Sequence, residues 1–131
     1  GAVGVQVGTR FLIADECLIH ENYKEKLLKA SDVSTMVTGK SMGDAVRCLK
    51  TPFSKKFFKM EYDPAVPKEE VLDFGKGAMR KAVFDGDNMG SYLAGEVAGM
   101  IKKKESAKDI VEDIMGGAEK LLKNAPSLIV G

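Results

Sequence analysis

The residues best suited to chemistry sit at the start of the chain. Ala2-Val3-Gly4-Val5-Gln6-Val7 is a short Val-rich run that ends in Gly8-Thr9-Arg10. Such a run reads as a strand buried on both faces except at Gln6. A strand ending in Gly-Thr presents two backbone N–H groups with no bulky side chain in front of them and a hydroxyl beside them, which suits a phosphate. The same residues also make a plain turn. A second candidate is Ala94-Gly95 with Ala98-Gly99, small residues repeated at i and i+4. On one helical face they admit either a flat ligand or a second backbone at close range. A third is the basic stretch Lys40, Arg47, Lys50, Lys55, Lys56 and Lys59, opposed only by Asp44. It would steer an acidic protein partner, and it reads equally well as a solvated face. His20 is the only histidine. In its polar surroundings it is read as structural rather than as a catalytic base.

The elements that must position these residues follow from periodicity. Tyr23, Leu27 and Leu28 recur at helical spacing and predict a helix over Glu21–Ala30. The β-branched segment Val33–Thr38 predicts a short strand ending at Gly39. Lys40–Lys59 is basic and partly apolar, with Pro52 as a breaker and Phe53, Phe57 and Phe58 as packing anchors. Pro64 and Pro67 mark a turn, and Pro67 opens a helix from Lys68 to about Phe84 with Gly75 and Gly77 inside it. After the turn Gly86-Asp87-Asn88, Ser91 caps a helix through Ile101. Ser106 and Asp109 cap the last helix, whose stripe is Ile110, Ile114, Ala118, Leu121 and Leu122, and which Asn124 and Pro126 end. The opening strand has no partner strand near it in sequence, so the chain reads as a fragment of a larger fold.

Composition narrows the function classes. The 131 residues carry 20 Lys plus Arg against 19 Asp plus Glu, a net charge of +1. That balance gives no reason to expect nucleic acid or an anionic membrane as the main partner. No apolar run approaches the roughly 20 residues that span a bilayer. The chain shows no signal-peptide pattern, and Cys17 and Cys48 are expected to be reduced thiols in a cytoplasmic protein. One His and two scattered Cys make no structural zinc set, so no metal is expected.

Several motifs, in order, resemble one family. Gly1-Ala2 with Val5-Gln6-Val7-Gly8-Thr9-Arg10-Phe11 is similar to the last barrel strand of the enoyl-acyl-carrier-protein reductase II and nitronate monooxygenase (2-nitropropane dioxygenase-like) family. Asn22–Ala30 resembles the segment that enters that family's lid. Gly77-Ala78-Met79-Arg80-Lys81-Ala82 with Gly86-Asp87, then Gly90-Ser91 with Ala94-Gly95-Glu96-Val97-Ala98-Gly99, resemble its C-terminal signature. The similarity runs from Gly1 to about Gly117.

The resemblance implies an α/β fold, the C-terminal fragment of a (β/α)8 TIM barrel that is mostly helical as it stands. It divides the chain into a last strand and FMN phosphate loop at 1–20, a lid at 21–74 and closing helices at 75–131. It implies FMN held by Gln6, Val7, Gly8 and Thr9, with Gly8 and Thr9 on the phosphate, and a substrate side formed by Ser91, Ala94, Gly95 and Glu96. Glu96 stands where the family usually has Gln, and Asp44 where a His is common. The implied activity is reduction of an enoyl thioester by NADH or NADPH through FMN, or alternatively oxidation of alkyl nitronates with oxygen. The implied partners are an acyl thioester and an acyl carrier protein met through residues 40–59, and a homodimer stays open. The family's Gly-Gly-His segment, which carries its catalytic histidine, is absent, so no catalytic residue is expected here and the chain alone is expected to be inactive. A different class of reading is a non-catalytic module that binds an acidic carrier protein.

Overall fold

The computed structural model describes residues 3–128. Gly1 and Ala2, the start of the expected strand, lie outside the described residues. Val3 to Val7 form no strand; they run exposed and without ladder partners, Val3 and Val5 almost fully so. A strand exists only through pairing, and the paired strands of this chain lie elsewhere. Thr9–Ile13 then coil into a short 3-10 turn whose last residue, Ile13, is buried.

Helix α1 (Glu21–Leu28) begins at His20, whose Nδ1 accepts from the Asn22 N–H at 3.1 Å. The histidine is thus a helix cap, which satisfies one of the N–H groups that a first turn leaves open. Tyr23 and Leu27 are buried as their spacing predicts. Lys24, expected among the polar positions, is buried too, and its Nζ donates to the Ala14 carbonyl at 2.7 Å.

Strands β1 (Thr35–Thr38) and β2 (Val46–Leu49) form an antiparallel hairpin, with Met36 opposite Cys48. Sequence reasoning found β1 and missed β2, whose Arg47 sits among the bases of the 40–59 stretch. The hairpin loop is tied down by Glu61. Its buried carboxylate accepts from the N–H of Gly39 at 2.9 Å and of Ser41 at 2.7 Å. Replacing Glu61 by Ala orphans both donors, and should lower the unfolding free energy by about 2 kcal/mol in a urea titration. A loss below about 0.5 kcal/mol would mean that water substitutes fully for the carboxylate.

Pro52 does not break structure. It opens α2 (Pro52–Glu61), where a missing N–H costs nothing. Thr51 and Ser54 cap this helix reciprocally, at 3.2 and 2.8 Å. Phe53 is buried and stacks on Phe74 of α3 (Lys68–Gly75), with ring centroids 5.1 Å apart. Phe57 joins them, whereas Phe58 is exposed beside Tyr62.

The helix expected over Lys68–Phe84 is two. Gly77 adopts φ +72°, a left-handed conformation that ends α3. The chain restarts as α4 (Ala78–Arg80), which widens into a π turn over Lys81–Asp85.

The helix expected over Ser91–Ile101 does not form. Ser91 to Gly95 instead run extended beside β2, where the Leu49 N–H donates to the Tyr92 carbonyl at 2.7 Å and the Ala94 N–H to the Arg47 carbonyl at 3.1 Å. Only Glu96–Met100 turn, as a 3-10 helix. The small residues at 94, 95, 98 and 99 therefore do not share a helical face. Gly99 instead serves close backbone approach, against Ser31 and Asp32.

Helix α5 (Ala107–Asn124) starts at Ser106, which accepts from the Asp109 N–H at 3.0 Å as its sequence predicts. Of its apolar stripe only Ile110 is buried and Ile114 half-buried, while Leu121 and Leu122 stand exposed. The main core joins Ile13, Leu27, Tyr92, Ala82, Ala98 and Ile110, and Tyr23 meets Tyr92 edge-on at 4.7 Å. The described residues are mostly helical with one small sheet. None of the described helices is long and apolar enough to cross a membrane.

Candidate functional site

A groove of about 810 Å3 opens where the first residues of the chain meet the segment leading into α5. Such a volume lies within the roughly 300–1,000 Å3 of small-molecule and cofactor sites. Gln6, Val7, Gly8 and Thr9 lie along one side of it, and Gly95 lies on the other. A direct bond joins the two: the Gly95 N–H donates to Thr9 Oγ1 at 2.8 Å. Since Oγ1 accepts there, the hydroxyl hydrogen of Thr9 is available to a ligand. Gly8 precedes the 3-10 turn, where the first N–H groups lack partners by construction. Those of Gly8 and Thr9 donate to no acceptor among the described residues. A Cβ built on Gly8 would meet nothing within 4 Å, so the backbone there is open to approach.

Ser91, Ala94 and Glu96 do not line the groove. Ser91 is held by the Ala78 carbonyl through its N–H, and Ala94 is buried against β2. Glu96 turns to the hairpin and pairs with Arg47 Nη2 at 2.9 Å. The Glu96 charge is thus answered by an arginine of the hairpin.

The groove also holds charged residues that sequence reasoning missed. Arg10 bridges Glu105 at 3.0 Å and Asp113 at 2.8 Å, and Lys103 reaches the other oxygen of Glu105 at 2.6 Å. Lys102 lines the same wall and donates to the Ala30 carbonyl. Arg10 follows directly on Gly8-Thr9, and Asp113 lies one position before Ile114 on the α5 stripe; only their pairing over a hundred residues was invisible. Three cations against two carboxylates leave the wall with a positive excess. Open N–H groups, a free hydroxyl hydrogen and a positive wall make a donor set that fits the phosphate of a flavin mononucleotide.

Lys103, and then Arg10, hold the Glu105 carboxyl below its ordinary value of 4.5. Because the folded value is depressed, the stabilisation is fully present above about pH 4.5 and is lost as pH falls through the folded value. Urea midpoints of the parent and Glu105→Gln should therefore differ at about pH 7 and converge near pH 3. A gap that persists in acid would show that the pairing plays no part in it.

The profile of a family described as nitronate monooxygenase matches residues 1–117. A probable nitronate monooxygenase from Staphylococcus saprophyticus is 28% identical over 123 residues, 93% of this chain and 34% of that protein. FabK from Thermotoga maritima superposes with a TM-score of 0.86 at 36% identity, over 93% of this chain and 39% of that one. A point mutant of the same FabK gives 0.80 at 35% identity, over 98% and 38%. The chain thus spans between a third and two fifths of the length of these relatives.

Proposed function

The chain belongs to the nitronate monooxygenase family, and from that premise we propose that it forms one wall of the flavin site of an oxidoreductase that reduces enoyl thioesters with NADH or NADPH. The observation that carries the flavin part is the groove in which Gly8, Thr9 and Gly95 meet. The N–H groups of Gly8 and Thr9 and the Thr9 hydroxyl would hold the FMN phosphate, while Gln6 and Val7 would flank the bound group. FMN, when bound, supplies two-electron hydride transfer between the nicotinamide and the double bond of the acyl chain. The chain's own part is to anchor, to orient and to exclude water. In this reading the segment from Val3 is the last strand of a (β/α)8 barrel, residues 21–74 cover the acyl chain and residues 75–131 close the barrel.

The enoyl thioester reading is favoured by the similarity to FabK, an enoyl-acyl-carrier-protein reductase II, at 36% identity. Its basic stretch supports docking of an acidic acyl carrier protein through residues 40–59. Lys55, Lys56 and Lys59 are exposed on α2 as that role requires. The second reading, oxidation of alkyl nitronates with FMN and oxygen, is favoured by the family profile and the Staphylococcus relative.

One pair of assays on the intact protein separates the two. Nicotinamide oxidation driven by an enoyl thioester, without oxygen uptake on a nitronate, is the expected result. The reverse pattern replaces the first reading with the second. Charge reversal at Lys55 and Lys56 should weaken carrier-protein binding, and undiminished binding would remove the docking part.

A further inference from the structure

Arg10 follows Gly8-Thr9 directly, yet its side chain is engaged within the protein. One nitrogen, Nη2, reaches both Glu105 and Asp113. Glu105 is itself held at three further places. Lys103 takes its other oxygen, the Asp15 N–H donates to its carbonyl at 3.0 Å, and two residues on the Ala107 N–H donates to the Glu16 carboxylate at 2.8 Å. The side chain of Glu105 is only 10% exposed, against 66% for Asp113. A sheltered ion pair is screened less than an open one, so Glu105 is the anchor and Asp113 the lesser partner.

Charge alone does not explain this arrangement. Arg10 and Lys103 answer Glu105 and Asp113, so the four groups together present no net charge to an anion. What the cluster supplies is position. The hydroxyl oxygen of Thr9 ties the loop to Gly95, and a segment held at one point can still rotate about it. A second tether at the next residue removes that rotation. Donors fixed in this way need no reordering when a ligand arrives, which favours binding.

We infer that Arg10 is a positioning residue for the phosphate of the flavin: through Glu105, and secondarily Asp113, it holds the Gly8 and Thr9 N–H groups in the direction in which they meet that phosphate. The inference rests on the flavin reading above.

The test compares FMN with riboflavin, by quenching of flavin fluorescence in the intact protein. The two share the ring system and differ in the phosphate, so the ratio of their affinities reads the phosphate loop. Arg10→Gln and Glu105→Gln should each lower FMN affinity about tenfold, and the double variant no further. Riboflavin affinity should stay within about twofold. Glu105→Gln decides between position and charge, because removing a carboxylate near an anion tightens binding if charge alone matters. Asp113→Asn, on the exposed side of α5, serves if Glu105→Gln does not fold, and should weaken FMN about twofold. Tighter or unchanged FMN binding in the carboxylate variants overturns the proposal. So does a double variant that loses about a hundredfold, since Arg10 would then act on the ligand directly. Equal losses for FMN and riboflavin overturn it as well, as the mark of a general effect on the fold. If Thr9→Val weakens FMN while Arg10→Gln does not, this proposal falls and the flavin reading stands. If the parent binds FMN no better than riboflavin, both fall.

Discussion

Replacing Gly90 by Ala is expected to lower the unfolding temperature by about 10 °C or more. Gly90 is where the extended segment at 90–95 crosses the π turn after α4. A Cβ built there would lie 2.5 Å from the Ala82 backbone nitrogen and 2.7 Å from its Cα. Those atoms are backbone in the main core, and Ala82 is fully buried. No rotamer change relieves the clash, so one of two packed segments must move. Overpacking of this kind costs about 1–3 kcal/mol and sometimes more, and the upper end is expected where the contact is backbone to backbone. The natural control is Gly116, in α5, where an added Cβ meets nothing within 4 Å. Gly116→Ala should stabilise by about 0.5–1 kcal/mol, since it removes conformational freedom from the unfolded chain. Thermal unfolding of both variants checks the pair. Similar small shifts in the two would mean that the 82–90 contact yields easily.

The second large effect concerns the flavin. Thr9→Val keeps the shape of the side chain and removes its oxygen. The Gly95 N–H then loses its 2.8 Å acceptor, and a bound phosphate loses one donor. Hydrogen bonds to charged groups contribute about 1.5–3 kcal/mol, so FMN affinity should fall by about 10–100-fold in the intact protein. Quenching of flavin fluorescence on titration measures it. Thr9→Ser restores the oxygen and should recover most of the affinity. Unchanged binding in Thr9→Val would place the phosphate elsewhere and sink the proposed role of this loop.

Where the sequence was legible, a local signal agreed with the tertiary one. Helix α1 has its apolar spacing, and α5 has Ser106 and Asp109 at its start, so each could be placed to within two residues. Where it failed, tertiary contacts overrode a local preference. Ala94-Gly95 and Ala98-Gly99 have helical spacing, yet β2 pairs with that segment, donating from Leu49 to the Tyr92 carbonyl and accepting from Ala94 at Arg47, and draws it out straight. Gly77 was counted as a tolerated helix residue, but its positive φ makes it a stop. Val3 to Val7 have strand composition and no ladder partner among the described residues. Strand β2 was hidden by the charge of Arg47, whose side chain leaves the sheet to reach Glu96.

The candidate site was half legible. Gln6, Val7, Gly8 and Thr9 and the distant Gly95 do share one groove. Arg10, Lys103, Glu105 and Asp113 were not anticipated, because charge pairing between the ends of a chain leaves no periodic trace. What sequence offered there was only residue type, and an exposed charge is the least informative type of all.

The groove also dictates an order of events. Its two sides come from residues 86 apart at Thr9 and Gly95, and 95 apart at Arg10 and Glu105. Local elements such as α1 and the β1–β2 hairpin form within microseconds, while closing so long a loop must wait for both ends. At a synthesis rate of about 5–20 residues per second, Thr9 leaves the ribosome on the order of ten seconds before its partner exists. In the proposed reading the loop at Gly8-Thr9 therefore gains its opposite wall only after Gly95 and Glu105 have been made.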